Sequence, residues 1–243
     1  MYSMPDRRRH RGPHPRDEAL FAAEMIARLR AALADYCLLL SKRYAEGSAL
    51  KLVGDHFGLI QRQRVAVMRC ACSDAQAAQR AARRIEVAGV AGGEVDIDGY
   101  NLLITLEAAL SGGLLLAGRD GCLRDLASIH GTYRRVAETL PAIRLAGVYL
   151  SELGPARVRW LLDSPVSNSG RLKTLLGQTA QEHGWPWTVE LARSPDGVLA
   201  RSRAVVATTD SAVLDRCGRW MPLAGAIVQQ RVPSAWIIDL SAA

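Results

Sequence analysis

From residue 94 onward, short apolar runs alternate with segments of helical spacing, and this alternation restricts the fold more than any other feature. Strands are predicted at 94–98, 157–162, 187–191 and 204–208, with shorter ones at 114–117, 226–229 and 235–240. Helices are predicted at 102–110, 123–136, 142–152, 170–183 and 212–217. Strands that alternate with helices are typical of a parallel sheet covered on both faces. The sequence therefore predicts an α/β domain over residues 89–243, introduced by the glycines Gly89, Gly92 and Gly93.

The first third of the chain has a different pattern. Residues 1–16 are rich in Arg and Pro and are predicted to form a basic arm. A long amphipathic helix is predicted to start after Asp17 and to end near Gly47. Shorter helices are predicted at 49–57, 62–71 and 75–85, the last capped by Ser73 or Asp74. Residues 17–88 are therefore expected to form a small all-helical module.

The formal charge of +7 lies entirely in this first third. Residues 1–88 hold sixteen Lys and Arg against nine Asp and Glu, whereas residues 89–243 hold fifteen of each. The arginines cluster in the arm and on two predicted helices: Arg7, Arg8, Arg9, Arg11, Arg16, Arg62, Arg64, Arg69, Arg80, Arg83 and Arg84. Such clusters suit a phosphate backbone, although a solvated surface that keeps a protein soluble has the same composition.

The five cysteines and the hydropathy pattern point to the cytoplasm. An odd number of thiols without a dense framework favours reduced cysteines, and Cys70 and Cys72 are interpreted as small buried residues rather than metal ligands. No uncharged apolar run approaches the roughly 20 residues that a membrane span requires. No membrane association is therefore expected.

Three predicted strands end in an aspartate: Asp98, Asp163 and Asp210. The carboxyl ends of parallel strands meet at one edge of the sheet, where ligands bind in open α/β folds. Each aspartate could simply cap the following helix. Three together repel one another unless a cation neutralises them, and oxygen ligands suit Mg²⁺ or Mn²⁺.

Two motifs resemble the PIN-like nucleases. VDIDGYNLLITLEAAL is similar to the first strand and helix of the NYN branch, whose Asp-Gly-Tyr-Asn turn holds the first catalytic aspartate. RAVVATTDSAVLD is similar to the later PIN strand that ends in Thr-x-Asp or Ser-x-Asp. The resemblance covers about residues 93–240. It implies a PIN-like parallel sheet flanked by helices and metal-dependent hydrolysis of RNA phosphodiesters.

The whole chain also resembles an uncharacterised prokaryotic family, the domain-of-unknown-function family 434. The similarity rests on RRRHRGPHPRDEALF, ALKLVGDHFGLIQRQRVAVMRCACSD, GRDGCLRDLASIHGTYRRV and LDSPVSNSGRLK.

The PIN-like resemblance assigns the first catalytic position to Asp98 and the later one to Asp210. Asp163 is the candidate for the remaining metal ligand. Asp125 is its rival, because it resembles the helical aspartate of NYN proteins. Asn101 is expected to support Asp98, and Glu107 is either a nearby acid of the site or an ordinary helix residue.

A phosphate site is predicted where the chain leaves Asp163. The loop and the start of the next helix supply Ser167, Asn168, Ser169, Arg171 and Lys173. Free amides at a helix start and two nearby cations can hold a phosphate. A Ser or Asn cap beside two solvated bases is the alternative.

These inferences lead to three candidate functions. The first is a metal-dependent endoribonuclease that uses Mg²⁺ or Mn²⁺. The second is a PIN-like protein that binds RNA without cutting it. The third is an adaptor whose helical module binds a protein partner or a second copy of the chain.

Overall fold

The computed structural model describes residues 10–127 and 133–241. Arg7, Arg8 and Arg9 of the predicted arm lie outside these ranges. The next residues of the arm lie against the α/β part of the chain. His10 Nδ1 lies 2.6 Å from a carboxylate oxygen of Glu138, and Arg11 forms a buried ion pair with Glu107.

The N-terminal module is all-helical, as predicted. It contains α1 (Asp17–Leu20), α2 (Ala23–Ser41), α3 (Glu46–His56), α4 (Gln61–Cys70) and α5 (Asp74–Arg83). The predicted long first helix is interrupted between α1 and α2, where Ala22 is extended and Phe21 is buried. Ser73 caps α5, since its hydroxyl accepts from the backbone N–H of Gln76 and its own N–H donates to the Gln76 side chain.

The remainder of the chain alternates strands and helices. After a 3-10 turn at Val87–Val90 come β1 (Glu94–Asp98), α6 (Gly99–Leu110), β2 (Leu115–Ala117), β3 (Leu123–Asp125), α7 (Thr139–Leu153), β4 (Arg157–Asp163), α8 (Ser169–His183), β5 (Trp187–Ala192), α9 (Pro195–Leu199), β6 (Val205–Ala207), α10 (Ser211–Leu214), β7 (Trp220–Met221), α11 (Leu223–Arg231) and β8 (Ile237–Asp239). The predicted α/β architecture with a preceding helical module is confirmed.

The main sheet has five parallel strands in the order β5-β4-β1-β6-β7. The chain runs from β1 outward through β4 to β5, and then returns to the other side of β1 with β6 and β7. The direction of winding therefore reverses between β1 and β6. A crevice forms at such a point, beyond the carboxyl ends of the strands, because the connections on its two sides leave in opposite directions.

A second sheet and the helix α11 correct two predictions. The second sheet has the order β3-β2-β8, with β2 and β3 antiparallel. The helix predicted at 123–136 is wrong at its start, where Leu123–Asp125 returns as a strand after a tight turn with Gly121 at φ +73°. The strand predicted at 226–229 lies within α11. Periodicity cannot distinguish a short apolar strand from a buried helix, which explains the second error.

The helical module shares a hydrophobic core with the second sheet. Leu29, Leu33 and Val67 belong to the same buried cluster as Leu116 of β2 and Ile238 of β8. The module therefore packs directly against the α/β part of the chain. All five cysteines are buried free thiols, including Cys70 and Cys72, for which burial was predicted.

No helix in the described ranges is both long enough and apolar enough to cross a bilayer.

Candidate functional site at the β1–β6 crevice

Asp98 lies where the sheet winding reverses. It ends β1 and caps α6, and its Oδ1 accepts from the backbone N–H of Asn101 at 3.3 Å. The register places Thr208 directly opposite, just beyond β6. The Thr208 hydroxyl donates to Asp98 Oδ2 at 2.9 Å. The capping and site interpretations of Asp98 are therefore compatible, because one oxygen caps the helix while the other faces β6.

Burial and two neighbouring carboxylates determine the pKa of Asp98. Burial raises the pKa of Asp98 to about 7, and the charges of Asp210 and Asp196 contribute to the increase. The hydrogen bonds from Thr208 and Asn101 oppose it without cancelling it. Asp98 is therefore a poorly solvated carboxyl group beside other acids, the environment that a bound cation stabilises.

Asp210 follows β6 and caps α10. Its Oδ1 accepts from the backbone N–H of Val213 at 3.0 Å, and its own N–H donates to the Thr208 hydroxyl at 3.0 Å. Thr208 thus bonds both to Asp98 and to the backbone of Asp210. This arrangement fixes the two strand ends relative to each other.

Asn101 strengthens the same link. Its Oδ1 accepts from the Thr209 backbone N–H at 2.9 Å and from the Thr209 hydroxyl at 3.0 Å. Asn101 therefore ties the first turn of α6 to the chain beyond β6. Since its backbone N–H also donates to Asp98, Asn101 connects the end of β1 with the residue that precedes Asp210.

Asp163 and Asp196 lie on the β4 side of the crevice. Burial raises the pKa of Asp163 above its ordinary value, and the charge of Asp196 raises it further. Burial and then Asp210 raise the pKa of Asp196. The four carboxylates therefore interact as one electrostatic cluster. Asp196 was not predicted, although it follows a strand end, because the short helix α9 carries no clear periodic signal.

Asp125 has a different position. It ends β3 instead of lying on a helix, and its Oδ1 accepts from the Ala127 backbone N–H at 2.7 Å. The Thr105 hydroxyl donates to its Oδ2 at 3.3 Å, and Arg69 donates to its carbonyl oxygen at 2.5 Å. Asp125 thus faces the helical module.

A cleft of about 440 Å³ separates the helical module from the α/β domain beside Asp210. Its lining includes Asp125, Asn101, Arg69, Met68 and Asp210. Asp210 therefore belongs both to this cleft and to the acidic cluster. Asp125 lines the cleft only, and Asp163 belongs to the acidic cluster only.

The start of α8 is accessible. Of the five predicted phosphate-binding residues, Ser167, Asn168, Arg171 and Lys173 are exposed, whereas Ser169 is buried. Asn168 has φ +71° and makes no side-chain cap, since its Nδ2 donates to the Tyr133 carbonyl oxygen at 3.1 Å.

Tyr100 is buried beside this helix start. Burial raises the pKa of Tyr100 to about 12, and the charge of Asp163 also raises it, while the Ser169 hydroxyl lowers it. Both groups are therefore close to the phenol. The Tyr100 hydroxyl nevertheless makes no hydrogen bond of acceptable geometry with any described residue.

Most arginines predicted to contact RNA form internal contacts. Arg62 donates to Asp17 and Arg64 donates to Asp55, both at 2.7 Å or less. Arg80 is 1% exposed and lies between Asp120 and Asp215. These side chains fasten the helical module, and Arg80 has no surface to offer a nucleic acid.

The acidic cluster has the type of ligand that a divalent cation needs, but not a full set of ligands arranged around one point. Its donors are all carboxylates, which suit Mg²⁺ or Mn²⁺. Across 10–127 and 133–241, no group of three or more His, Cys, Asp or Glu side chains is arranged to hold a metal ion. Mg²⁺ is often held by only one or two protein carboxylates, with water and substrate phosphate completing its shell. A site of that kind fits Asp98 and Asp210.

Gly99 allows α6 to begin directly against β4. A Cβ on Gly99 would lie 2.5 Å from Leu162 Cδ2 and 3.0 Å from the Leu161 carbonyl oxygen. We expect Gly99→Ala to lower the free energy of unfolding by about 1–3 kcal/mol through overpacking. Urea denaturation measures this change. The matched control is Gly177→Ala in α8, where the added Cβ meets nothing within 4 Å. The control should gain roughly 0.5–1 kcal/mol, and equal behaviour of the two variants would contradict the packing argument.

The fold and the strand-end carboxylates define a parallel α/β protein with an acidic crevice and an N-terminal helical module. The chain belongs to the family described as Domain of unknown function (DUF5616), which matches residues 87–226. The family described as Protein of unknown function (DUF434) matches residues 28–83, within the helical module, which confirms that part of the predicted resemblance.

The chain is also similar to Uncharacterized protein MJ0935 of Methanocaldococcus jannaschii. The two are 27% identical over 180 residues, which cover 74% of this chain and 86% of that protein. No solved structure gives a significant match.

Proposed function

We propose that this protein is a divalent-metal-dependent endoribonuclease whose site lies at the β1–β6 crevice. The observation that carries the proposal is the half-buried position of Asp98 at the reversal of the sheet winding, beside two further carboxylates that raise its pKa. The resemblance of the Asp-Gly-Tyr-Asn turn at 98–101 to NYN-type PIN-like nucleases supports the same chemistry. Buried, coupled carboxylates are a recurrent feature of functional sites.

Asp98 and Asp210 are the proposed metal ligands. Asp163, or the newly found Asp196, contributes from the β4 side, and Asp125 contributes from the cleft only if the substrate extends there. A Mg²⁺ or Mn²⁺ ion bound here supplies water activation and stabilises charge on the phosphate. Thr208 and Asn101 hold the two strand ends at a fixed separation, so that the carboxylates need little reorganisation when the ion binds.

Cleavage of RNA by purified Asp98→Asn tests this proposal. Wild-type protein should cleave structured or single-stranded RNA only with Mn²⁺ or Mg²⁺, and the variant should fall to the level of the metal-free reaction. Asp35→Asn is the matched control, because Asp35 is an exposed aspartate of α2. This variant should cleave RNA like the wild type. Equal cleavage by wild type and Asp98→Asn, or none by either across both substrates, would reject the nuclease.

Binding of RNA without cleavage is the second candidate function. It is favoured by the lack of a three-ligand metal arrangement within the described parts of the chain. The same assay separates the two functions when it includes a gel-shift measurement. Retention of RNA by both wild type and Asp98→Asn, without metal-dependent products, would support binding alone.

Exposed apolar side chains favour a protein contact through the helical module. Leu38, Tyr44 and Leu52 are each more than half exposed. A second copy of the chain or a protein partner is the proposed occupant in this adaptor function. Light scattering that gives the monomer mass at micromolar concentration would exclude the second copy.

A further inference from the structure

The cleft between the helical module and the α/β domain has two chemically different walls. The apolar side chains of its lining come from α2 and α4 of the module, namely Tyr36, Leu40 and Met68. The polar side chains come from the segments that follow β1 and β6, namely Asn101, Thr209, Asp210 and Ser211. A ligand that fills the cleft therefore needs both an apolar face and a polar edge.

Met68 and Arg69 give the module side of the cleft its accessible groups. Met68 is 44% exposed, and its flexible thioether chain adapts well to flat rings. The Arg69 side chain is 30% exposed, whereas the other two arginines of the lining are buried. Arg69 donates to the carbonyl oxygens of Asp125 and Ala127, but a guanidinium carries more N–H donors than these two acceptors use. Arg69 can therefore also donate to an anionic group in the cleft.

The cleft meets the acidic cluster at Asp210, which belongs to both. The Asp210 backbone N–H donates to the Thr208 hydroxyl, and that hydroxyl donates to Asp98. An RNA strand that lies in the cleft therefore passes beside both of the proposed metal ligands.

The cleft has room for one nucleotide. Pockets of about 300–1,000 Å³ enclose a single small molecule, and the volume here is about 440 Å³. In an RNA duplex the base faces are stacked and the pairing edges are occupied, whereas an unpaired base offers both. An unpaired nucleotide therefore matches the size of the cleft and its two walls, and a duplex matches neither.

We propose that this cleft receives one unpaired nucleotide of the RNA substrate, so that the protein selects single-stranded RNA over a duplex. This inference rests on the proposed function, and it specifies the substrate class of the same site. The base lies against Met68 and the apolar wall, and Arg69 donates to a phosphate oxygen. The adjoining phosphate reaches Asp210 and the acidic cluster.

Fluorescence anisotropy with a short labelled oligoribonucleotide in metal-free buffer measures binding without any cleavage. The full chain should bind the single strand about tenfold more tightly than the same strand annealed to its complement, because contact with one unpaired base contributes roughly that factor. Equal affinity for the two forms, or no binding of the single strand, would overturn the proposal.

Met68→Glu tests the apolar wall at an exposed position where folding is preserved. It removes the contact with the base and adds a charge that repels phosphate, so it should weaken binding of the single strand about tenfold or more. Val148→Glu is the matched control, because Val148 is 50% exposed on α7 and the change in charge is the same. Equal affinities of the two variants would show that the RNA does not enter the cleft.

Arg69→Gln tests the phosphate contact through the salt dependence of binding. Loss of one phosphate contact with a single strand should lower the slope of log affinity against log salt by about 0.7. Arg144→Gln, an exposed position on α7, should leave the slope unchanged. A weaker affinity of Arg69→Gln with an unchanged slope would give Arg69 a structural role and remove it from the binding site.

The methyl groups of methionine locate the bound RNA directly. The chain has five methionines, of which Met68 lines the cleft and Met221 is buried in the core. After selective methyl labelling, the Met68 resonance should shift in a saturable way with the single strand, and the Met221 resonance should stay in place. Binding that leaves the Met68 resonance unchanged would overturn the cleft as the site.

Cleavage with Mn²⁺ separates this inference from the proposed nuclease. The wild type should cleave the single strand and spare the duplex. If cleavage is absent but the strand selectivity and the Met68 shift remain, the nuclease fails and the cleft stands. If Asp98→Asn abolishes cleavage while Met68→Glu cleaves like the wild type, or the duplex is cut equally, the cleft fails and the nuclease stands.

Discussion

Replacement of Asp120 by alanine is expected to lower the free energy of unfolding by about 3–5 kcal/mol, since it leaves buried guanidinium groups without their shared partner. The Asp120 side chain is 1% exposed. It accepts from Arg124 at 2.7 and 2.8 Å and from Arg80 at 2.6 Å. Both arginines are themselves almost fully buried.

The pH dependence of stability gives an independent check on Asp120. Burial alone would raise the pKa of Asp120, but Arg124 and Arg80 outweigh it and lower the pKa to about 2. A lowered folded-state pKa adds stability above the unfolded value near 4, and this stability disappears as the pH falls towards 2. The contribution is about 2–3 kcal/mol for a shift of nearly two units. Asp120→Asn should therefore differ most from the wild type at neutral pH.

Urea denaturation at pH 7 and pH 3 measures both effects. The surface control is Asp55→Asn, which removes an exposed carboxylate paired with Lys51 and Arg64. The control should change the urea midpoint little at either pH. An Asp120→Ala midpoint equal to that of the wild type would show that the buried arginines do not need this carboxylate.

The effect of Asp120 should extend to the candidate site. Arg124 also donates to the carbonyl oxygen of Thr209 at 2.8 Å, and Arg80 donates to Asp215 at 2.7 Å. These bonds hold the segment that carries Asp210. Arg80 belongs to α5, so one buried ion network joins the helical module to the segment that carries Asp210. The module therefore supports the site as well as covering the second sheet.

The sequence predicted the strand–helix alternation and the position of Asp98 because both depend on local signals. The run EVDID alternates acidic and apolar residues, as a strand does, and a glycine follows it where the structure begins α6. The capping box at Ser73 is equally local. Such features are readable from a few neighbouring residues.

The features that were missed depend on contacts between distant segments. Leu123–Asp125 forms a strand because it pairs with β2, and its apolar spacing alone fits a helix equally well. Arg80 lies in a polar helix, where the sequence predicts a solvated side chain. Asp120 and Asp215 instead hold it in the interior. Asp196 joins the acidic cluster only through the arrangement of α9 over the sheet edge. Tertiary pairing decides each of these cases.

The carboxyl group of Asp98 should lower the free energy of unfolding of the metal-free protein as the pH rises. A raised folded-state pKa adds stability that is complete below the unfolded value near 4 and is lost as the pH passes through about 7. Three pKa units correspond to a ceiling of about 4 kcal/mol, and water entry and relaxation reduce this, so that we expect about 2 kcal/mol. Asp98→Asn lacks the ionisation and should be more stable than the wild type by that amount at pH 8. The difference should vanish near pH 4.

Mn²⁺ should reverse the order of the two proteins at pH 8. An ion that binds only the folded wild type adds about 2.7 kcal/mol at a concentration of 100 times its dissociation constant. Asp98→Asn should gain much less, because the proposed site has lost one of its charged ligands. Urea midpoints with and without Mn²⁺ measure the effect, with Asp35→Asn as the control for a distant carboxylate. If Mn²⁺ stabilised the wild type and Asp98→Asn equally, the ion would bind elsewhere, and the carboxylates of the crevice would need another explanation.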